Sequence, residues 1–233
     1  MPANMLFENL EARIAPFNLL KHPFYQAWSA GELTETDLRE YAAEYWHAVS
    51  AFPTYLSEFH AQLPDAELRR TVLMNLIDEE GIGSRDGRAH SDIWMDFATG
   101  MGADANEVRA REINAETRAL IAAFRQMMRE HPASALAALY AYESRVPEIA
   151  RTKAEGLAKH YGVDDATRRY FTLHEKADVF HARIWQEALK AEVSGDAAAE
   201  ECACDAAEKA ARMLWSSLDG VERNRQERKK QQA

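Results

Sequence analysis

Apolar residues in this chain recur every third or fourth position and nowhere alternate, which leaves the α-helix as the one regular element it can build. Leu6, Leu10, Ile14 and Phe17 set the spacing in a short lead-in over residues 1–20, and Leu38, Tyr41, Tyr45, Val49 and Phe52 repeat it. Ten glycines and seven prolines fall mostly between such stretches, so they read as punctuation. A short helix is predicted over 24–30, between His22-Pro23 and Gly31. Thr34, with Asp37 three residues on, resembles a capping box, and the helix it opens is expected to stop at Pro53. Further helices are predicted over 54–63, 65–80, 90–99 and 106–130, from a Ser134 cap to about 161, over 164–189, and over 196–219 with Asp219-Gly220 as its end. The chain is therefore read as all-α, without internal repeats. A single domain spans 1–222, and residues 223–233 form a basic, frayed tail.

Charge narrows the function. A net charge of −10 and a pI of about 5.3 repel phosphate backbones, so no nucleic-acid partner is expected. The sequence has no apolar run long enough for a membrane span and no basic start leading into an apolar segment, so no membrane association or secretion is expected. Cys202 and Cys204 are the only cysteines; spaced C-x-C, they cannot frame disulfides and offer half the ligands of a structural zinc. A reducing, cytoplasmic setting follows. A homodimer is allowed by the sequence without being specified by it.

The chemistry is concentrated in a few polar side chains on helices. His174, Asp178 and His181 share one helical stripe in HEKADVFH, a ligand set suited to iron, manganese or zinc. The plain alternative is a polar helix face with satisfied histidines. Glu79-Glu80 precede the glycines at 81, 83 and 87, and His90 follows them. In an unbroken helix Glu79 and His90 would stand about 16 Å apart along the axis, too far for one cluster. The glycines can loop the chain back, and of the two glutamates Glu79 is preferred. Glu143 ends an apolar run and is costly to bury unpaired; pairing with Arg145 or facing water are its ordinary readings. Together these supply three histidines and three carboxylates, a count that suits two metals. A ferritin-like site would need two Glu-x-x-His motifs, whereas only Glu44-Tyr-Trp-His47 matches.

Over about residues 5–222 the sequence resembles the haem-oxygenase-like di-metal oxidases, and within them the family named for the Chlamydia protein associating with death domains. The resemblance is carried by HPFYQAW (22–28), LIDEE (76–80), the segment from Tyr142-Glu143 to Val146-Pro147, Lys153, HEKADVFH (174–181) and LWSSLDGV (214–221). The interval between Glu79 and His90 is a few residues longer than is usual in that family. More distantly the chain is similar to TenA and PqqC proteins. The resemblance implies a seven-helix bundle around a central cavity, with Glu79, His90, Glu143, His174, Asp178 and His181 as ligands to Fe/Fe or Fe/Mn. TenA chemistry needs a cavity cysteine, for which Cys202 and Cys204 are poor candidates.

It also implies an activity. Family members supply p-aminobenzoate for folate synthesis, and make it from their own side chains in a single turnover. A tyrosine gives the ring and a lysine the nitrogen, with molecular oxygen activated at the metals by an external reductant. Tyr25 and Lys153 fall on those positions; Tyr41, Tyr142 and Tyr170 are further tyrosines expected at the cavity. Two rival readings are a di-iron oxidase acting on a diffusible amine or fatty acid, and a non-enzymatic helical interaction protein.

Overall fold

Among the helices, α8 (Pro132–Glu143) fixes the layout because it has no polar face: every residue from Ala133 to Ala141 is buried. A helix apolar all round must be enclosed, and its alanines let α7 (Ala115–Arg129), α10 (Arg169–Glu192) and α11 (Ala197–Gln232) pack around it. The computed structural model describes residues 3–83 and 86–232. Around the central four lie α1 (Ala3–Ile14), α2 (Pro23–Ala30), α3 (Glu35–Gln62), α4 (Ala66–Glu79), α5 (His90–Gly100), α6 (Ala105–Ala110) and α9 (Val146–Gly156). No strand occurs among the described residues, so the expected all-α bundle is present, and no described helix is long and apolar enough to cross a membrane. Two apolar clusters divide the interior: one centres on α8 and α11, the other on Phe24, Trp28, Tyr41, Trp94 and Phe171. Helix α10 passes from the aromatic cluster at Tyr170 to the other at Trp185, and its polar stripe lies between them.

Several boundaries differ from the sequence reading. The Thr34–Asp37 capping box forms, but α3 runs through Pro53, where burial of Phe52, Tyr55, Leu56 and Phe59 offsets a proline cost of about 3 kcal/mol. The long helix expected over 106–130 is two, because the link at 111–114 is held to α3. There Glu44 accepts from the Asn114 N–H at 2.8 Å and pairs with Arg111 at 3.2 Å, and a His47 ring nitrogen meets the Val108 carbonyl at 2.9 Å. That Glu-x-x-His pair is thereby a clamp between helices. His131 rather than Ser134 caps α8, and the stretch to 161 breaks at Ser144-Arg145, ahead of Pro147. The helix carrying His174 begins at Arg169.

The basic tail is the main correction. Gly220 does not stop α11; it allows the helix to pass Glu116, whose carboxylate oxygen would lie 2.8 Å from an added Cβ. Residues 223–232 continue the helix, because Arg225, only 3% exposed, and Arg228 reach the buried Asp37 at 3.4 and 3.0 Å. Burial would raise the Asp37 carboxyl, but the Thr34 N–H and the Arg228 guanidinium bring it below its ordinary 3.8. Arg228→Ala should cost roughly 1–2 kcal/mol in urea unfolding at pH 7. Since the folded pKa is depressed, this contribution is complete above 3.8 and disappears as the pH falls through the lower folded value. The unfolding curves of wild type and variant should converge there.

Candidate metal centre

One face of α10 is buried from end to end: Tyr170, Phe171, His174, Asp178, His181, Trp185 and Leu189, at helical spacing. From α4 comes the stripe Val72, Asn75 and Glu79, the only buried side chains of that helix. Glu80 is exposed, so Glu79 is the inward member of the acidic pair. After α4 the chain turns back at Gly81, with φ of 70°, and a Cβ there would collide with the Arg88 carbonyl. This fold-back accompanies the return of His90 to Glu79.

The six residues singled out from the sequence converge in two groups of three: Glu79, His90 and His174, and Glu143, Asp178 and His181. In each group the candidate ligand atoms lie within 4.8 Å of one another, and all six side chains are buried. In the first, Glu79 Oε2 is 3.0 Å from His90 Nδ1, which is 3.1 Å from His174 Nε2. His174 Nδ1 is 2.7 Å from the Tyr170 carbonyl, which can only accept, so Nδ1 carries the hydrogen and Nε2 turns its lone pair to the cluster. In the second, His181 Nδ1 stands 3.4 Å from Asp178 and 3.9 Å from Glu143. Its other nitrogen lies 3.3 Å from Asp78, an outer carboxylate that can fix the ring's tautomer as metal sites require. Trp185 donates its indole N–H to Glu143 Oε2 at 2.7 Å.

The donor set fits cations. Glu143 Oε1 and His181 Nδ1 are buried without hydrogen-bond partners, a costly state unless another group binds them. Burial and the adjacent Asp178 push the Glu143 carboxyl well above the usual range, while His90 brings Glu79 below it despite burial. Burial opposes charge on His181, yet Asp178 and Glu143 hold it up to about 9. Acting as ligands, three ionised carboxylates and three neutral imidazoles would carry a formal charge of −3, against +4 from two divalent ions. Each group could hold one ion.

Beyond this cluster lies a second polar island. Lys153, 5% exposed, donates to the hydroxyls of Tyr25 at 2.7 Å and Tyr41 at 2.6 Å, and those hydroxyls are 3.0 Å apart. No acidic side chain pairs with it among the described residues, and burial drives its pKa far down, favouring the neutral amine. Burial likewise keeps both phenols protonated. A cavity of about 180 Å³ opens beside Lys153, walled by Tyr25, Tyr45, Trp94, Tyr142 and Tyr170. Tyr142 and Tyr170 also line the small cleft at Glu79, Glu143, His174 and Asp178, and Tyr170 stacks on His174 with centroids 3.9 Å apart. These two tyrosines separate the metal-ligand cluster from the amine.

Other motif residues serve the frame. His22 Nδ1 accepts the Phe24 N–H at 3.1 Å, so Nε2 carries the hydrogen and donates to Asp219 at 3.1 Å, joining HPF to LDG. Cys202 is exposed and Cys204 is buried on α11; neither lines the cavity. Sequence reasoning passed over Asp78, Asn75, Tyr45 and Trp94. Only Asn75 left a usable trace, one turn before Glu79 on the inward stripe.

A profile of the haem-oxygenase-like family described as iron-containing redox enzymes matches residues 39–216. The chain belongs to that family. Among its relatives it is 39% identical to the 4-aminobenzoate synthase of Nitrosomonas europaea, over 96% of this chain and 94% of that protein. It is 36% identical to the 4-aminobenzoate synthase of Chlamydia trachomatis, over 91% and 90%. A TenA homolog from Pseudomonas syringae, 17% identical, superposes with a TM-score of 0.82 over 96% of both chains, which establishes the shared fold. For this member of the iron-containing redox enzymes, anaerobic ferrous iron should raise the melting temperature, by about 2.7 kcal/mol of stabilisation at a hundredfold excess over Kd. His174→Ala should remove the part of the shift due to the Glu79–His90–His174 group, read by melting curves. Asp78→Asn should weaken iron binding at the other group by about tenfold, read by calorimetric titration.

Proposed function

We propose that the protein is an oxygen-dependent oxidase that forms p-aminobenzoate once per chain, taking the ring from Tyr25 and the nitrogen from Lys153. The observation that carries this reading is a buried amine held against a tyrosine hydroxyl, one tyrosine layer from the His/carboxylate cluster. In tyrosine the hydroxyl-bearing carbon is para to the carbon that joins ring to backbone. In p-aminobenzoate the nitrogen is para to the carboxyl carbon. Lys153 Nζ, 2.7 Å from the Tyr25 hydroxyl, stands at the end of the ring where nitrogen must go. An uncharged amine keeps the lone pair for a bond to the hydroxyl-bearing ring carbon. That carbon must lose its hydroxyl oxygen, and the Lys153 Cε–Nζ bond must break to free the nitrogen, with molecular oxygen and an external reductant as the redox partners. Kinship with proteins named 4-aminobenzoate synthase supports the same product.

Tyr41 touches the same amine, but Tyr25 faces the cavity and Tyr41 does not line it. A fragment released from Tyr25 has somewhere to go. Tyr41 then acts by positioning Lys153, and Tyr142 and Tyr170 by carrying electrons between cluster and cavity. Glu79, His90, His174, Glu143, Asp178 and His181 would hold two ions, Fe/Fe or Fe/Mn. When bound, these would supply oxygen activation with electrons from an external reductant. The aromatic wall excludes water, so the oxidising power is spent on the ring.

The test is intact mass and product yield after iron loading, reduction and exposure to oxygen. The expected result is at most one p-aminobenzoate per chain, with matching mass loss from the peptide bearing Tyr25. Tyr25→Phe and Lys153→Arg should each make no product, and Tyr41→Phe should still lose mass at Tyr25. Repeated turnover with unchanged protein mass would instead favour oxidation of a diffusible amine or fatty acid.

A further inference from the structure

Asn75 is 4% exposed, yet neither its amide oxygen nor its amide nitrogen has a hydrogen-bond partner. A primary amide offers two donors and an acceptor with two lone pairs, and leaving all of them unmet in the interior is rare. An unpaired buried side chain of this kind calls for a bound group beside it. Its place on α4 indicates which. Asn75 lies one turn before Glu79 on the same inward stripe, about 6 Å away along the axis.

The neighbouring helix fixes its level in the bundle. Asp78 meets His181, whereas Leu68 and Thr71 share a surface groove with Ile184 and Ala188. Helices α4 and α10 therefore run antiparallel along their contact, and Asn75 falls between those points, level with His181 and Trp185. Trp185 and His181 both reach Glu143, at 2.7 and 3.9 Å. The same half of the site contains two further atoms without hydrogen-bond partners, Glu143 Oε1 and His181 Nδ1. Four polar atoms without hydrogen-bond partners thus occur on α4 and α8, which both pack on α10, and on α10 itself.

We infer that Asn75 is a positioning residue of the metal centre: its amide, through an ordered water, hydrogen-bonds Glu143 and orients that carboxylate toward the ion of the Glu143–Asp178–His181 group. The inference rests on the metal reading given above and adds to it a residue that is not a ligand. Water suits the role because it can both donate to Glu143 Oε1 and accept from the amide nitrogen. The amide then matters when the cation is present, and is a liability when it is absent.

That asymmetry makes the test one of signs. Asn75→Leu keeps the volume and removes the amide; Asn75→Ala serves as a second variant should leucine fit poorly. Calorimetric titration of the metal-free proteins with ferrous iron under argon should find two ions per wild-type chain. In the variants one affinity should drop by about tenfold or more and the other should stay within a factor of about two. The melting temperature of metal-free Asn75→Leu should match or exceed that of wild type, because an unpaired buried amide has been replaced by an apolar group. Two ions bound by the variants with wild-type affinities would overturn the role of Asn75 alone, as would a metal-free Asn75→Leu that melts several degrees lower with iron binding unchanged. A wild-type chain that takes up no iron would overturn both the metal reading and this assignment.

Discussion

Burying three carboxylates and three imidazoles between helices is the constraint around which this protein is arranged. Such a cluster is tolerable only if opposite charge enters it, and only if the surrounding frame cannot relax away from it. The frame supplies that rigidity. An alanine-rich α8 is enclosed by its neighbours, and one continuous face of α10 is anchored at Tyr170 and Trp185. Between these aromatic anchors the polar stripe has little freedom to turn outward. Outer groups complete the hold: the Tyr170 carbonyl at His174, Asp78 at His181 and the Trp185 indole at Glu143.

Lys153 represents the opposite electrostatic choice. Where the His/carboxylate cluster gathers charge, the amine sits among Tyr25, Tyr41, Trp28, Trp94 and Phe171 with no counter-ion. Ring faces attract a cation but do not replace the water it loses, so the uncharged form prevails. Two neighbouring environments in one bundle therefore differ: acids and imidazoles buried against one another on one side, an amine buried among aromatic rings on the other.

Much of this was legible in the sequence because helical spacing is a local property. The stripe of His174, Asp178 and His181 could be drawn on a helical wheel, and the return of His90 to Glu79 could be anticipated from the intervening glycines. What was not legible depends on contacts between distant segments. Pro53 reads as a break until its neighbours are seen to be buried, and Arg111 and Asn114 look helical until Glu44 takes their hydrogen-bonding groups. The basic end looks frayed because nothing local announces that Asp37, far away in sequence, needs Arg225 and Arg228. Asp78 was hidden beside a more conspicuous glutamate. Asn75 was hidden because an amide carries no charge to draw attention.

The bond between His22 and Asp219 spans 197 positions. It seats the start of α2, and with it Tyr25, against α11. Local contacts can form as the chain emerges, but this one cannot close until Asp219 has been made, 197 residues after His22. On the proposed reading, Tyr25 is thus kept from its seat beside Lys153 until the segment bearing Asp219 has been made.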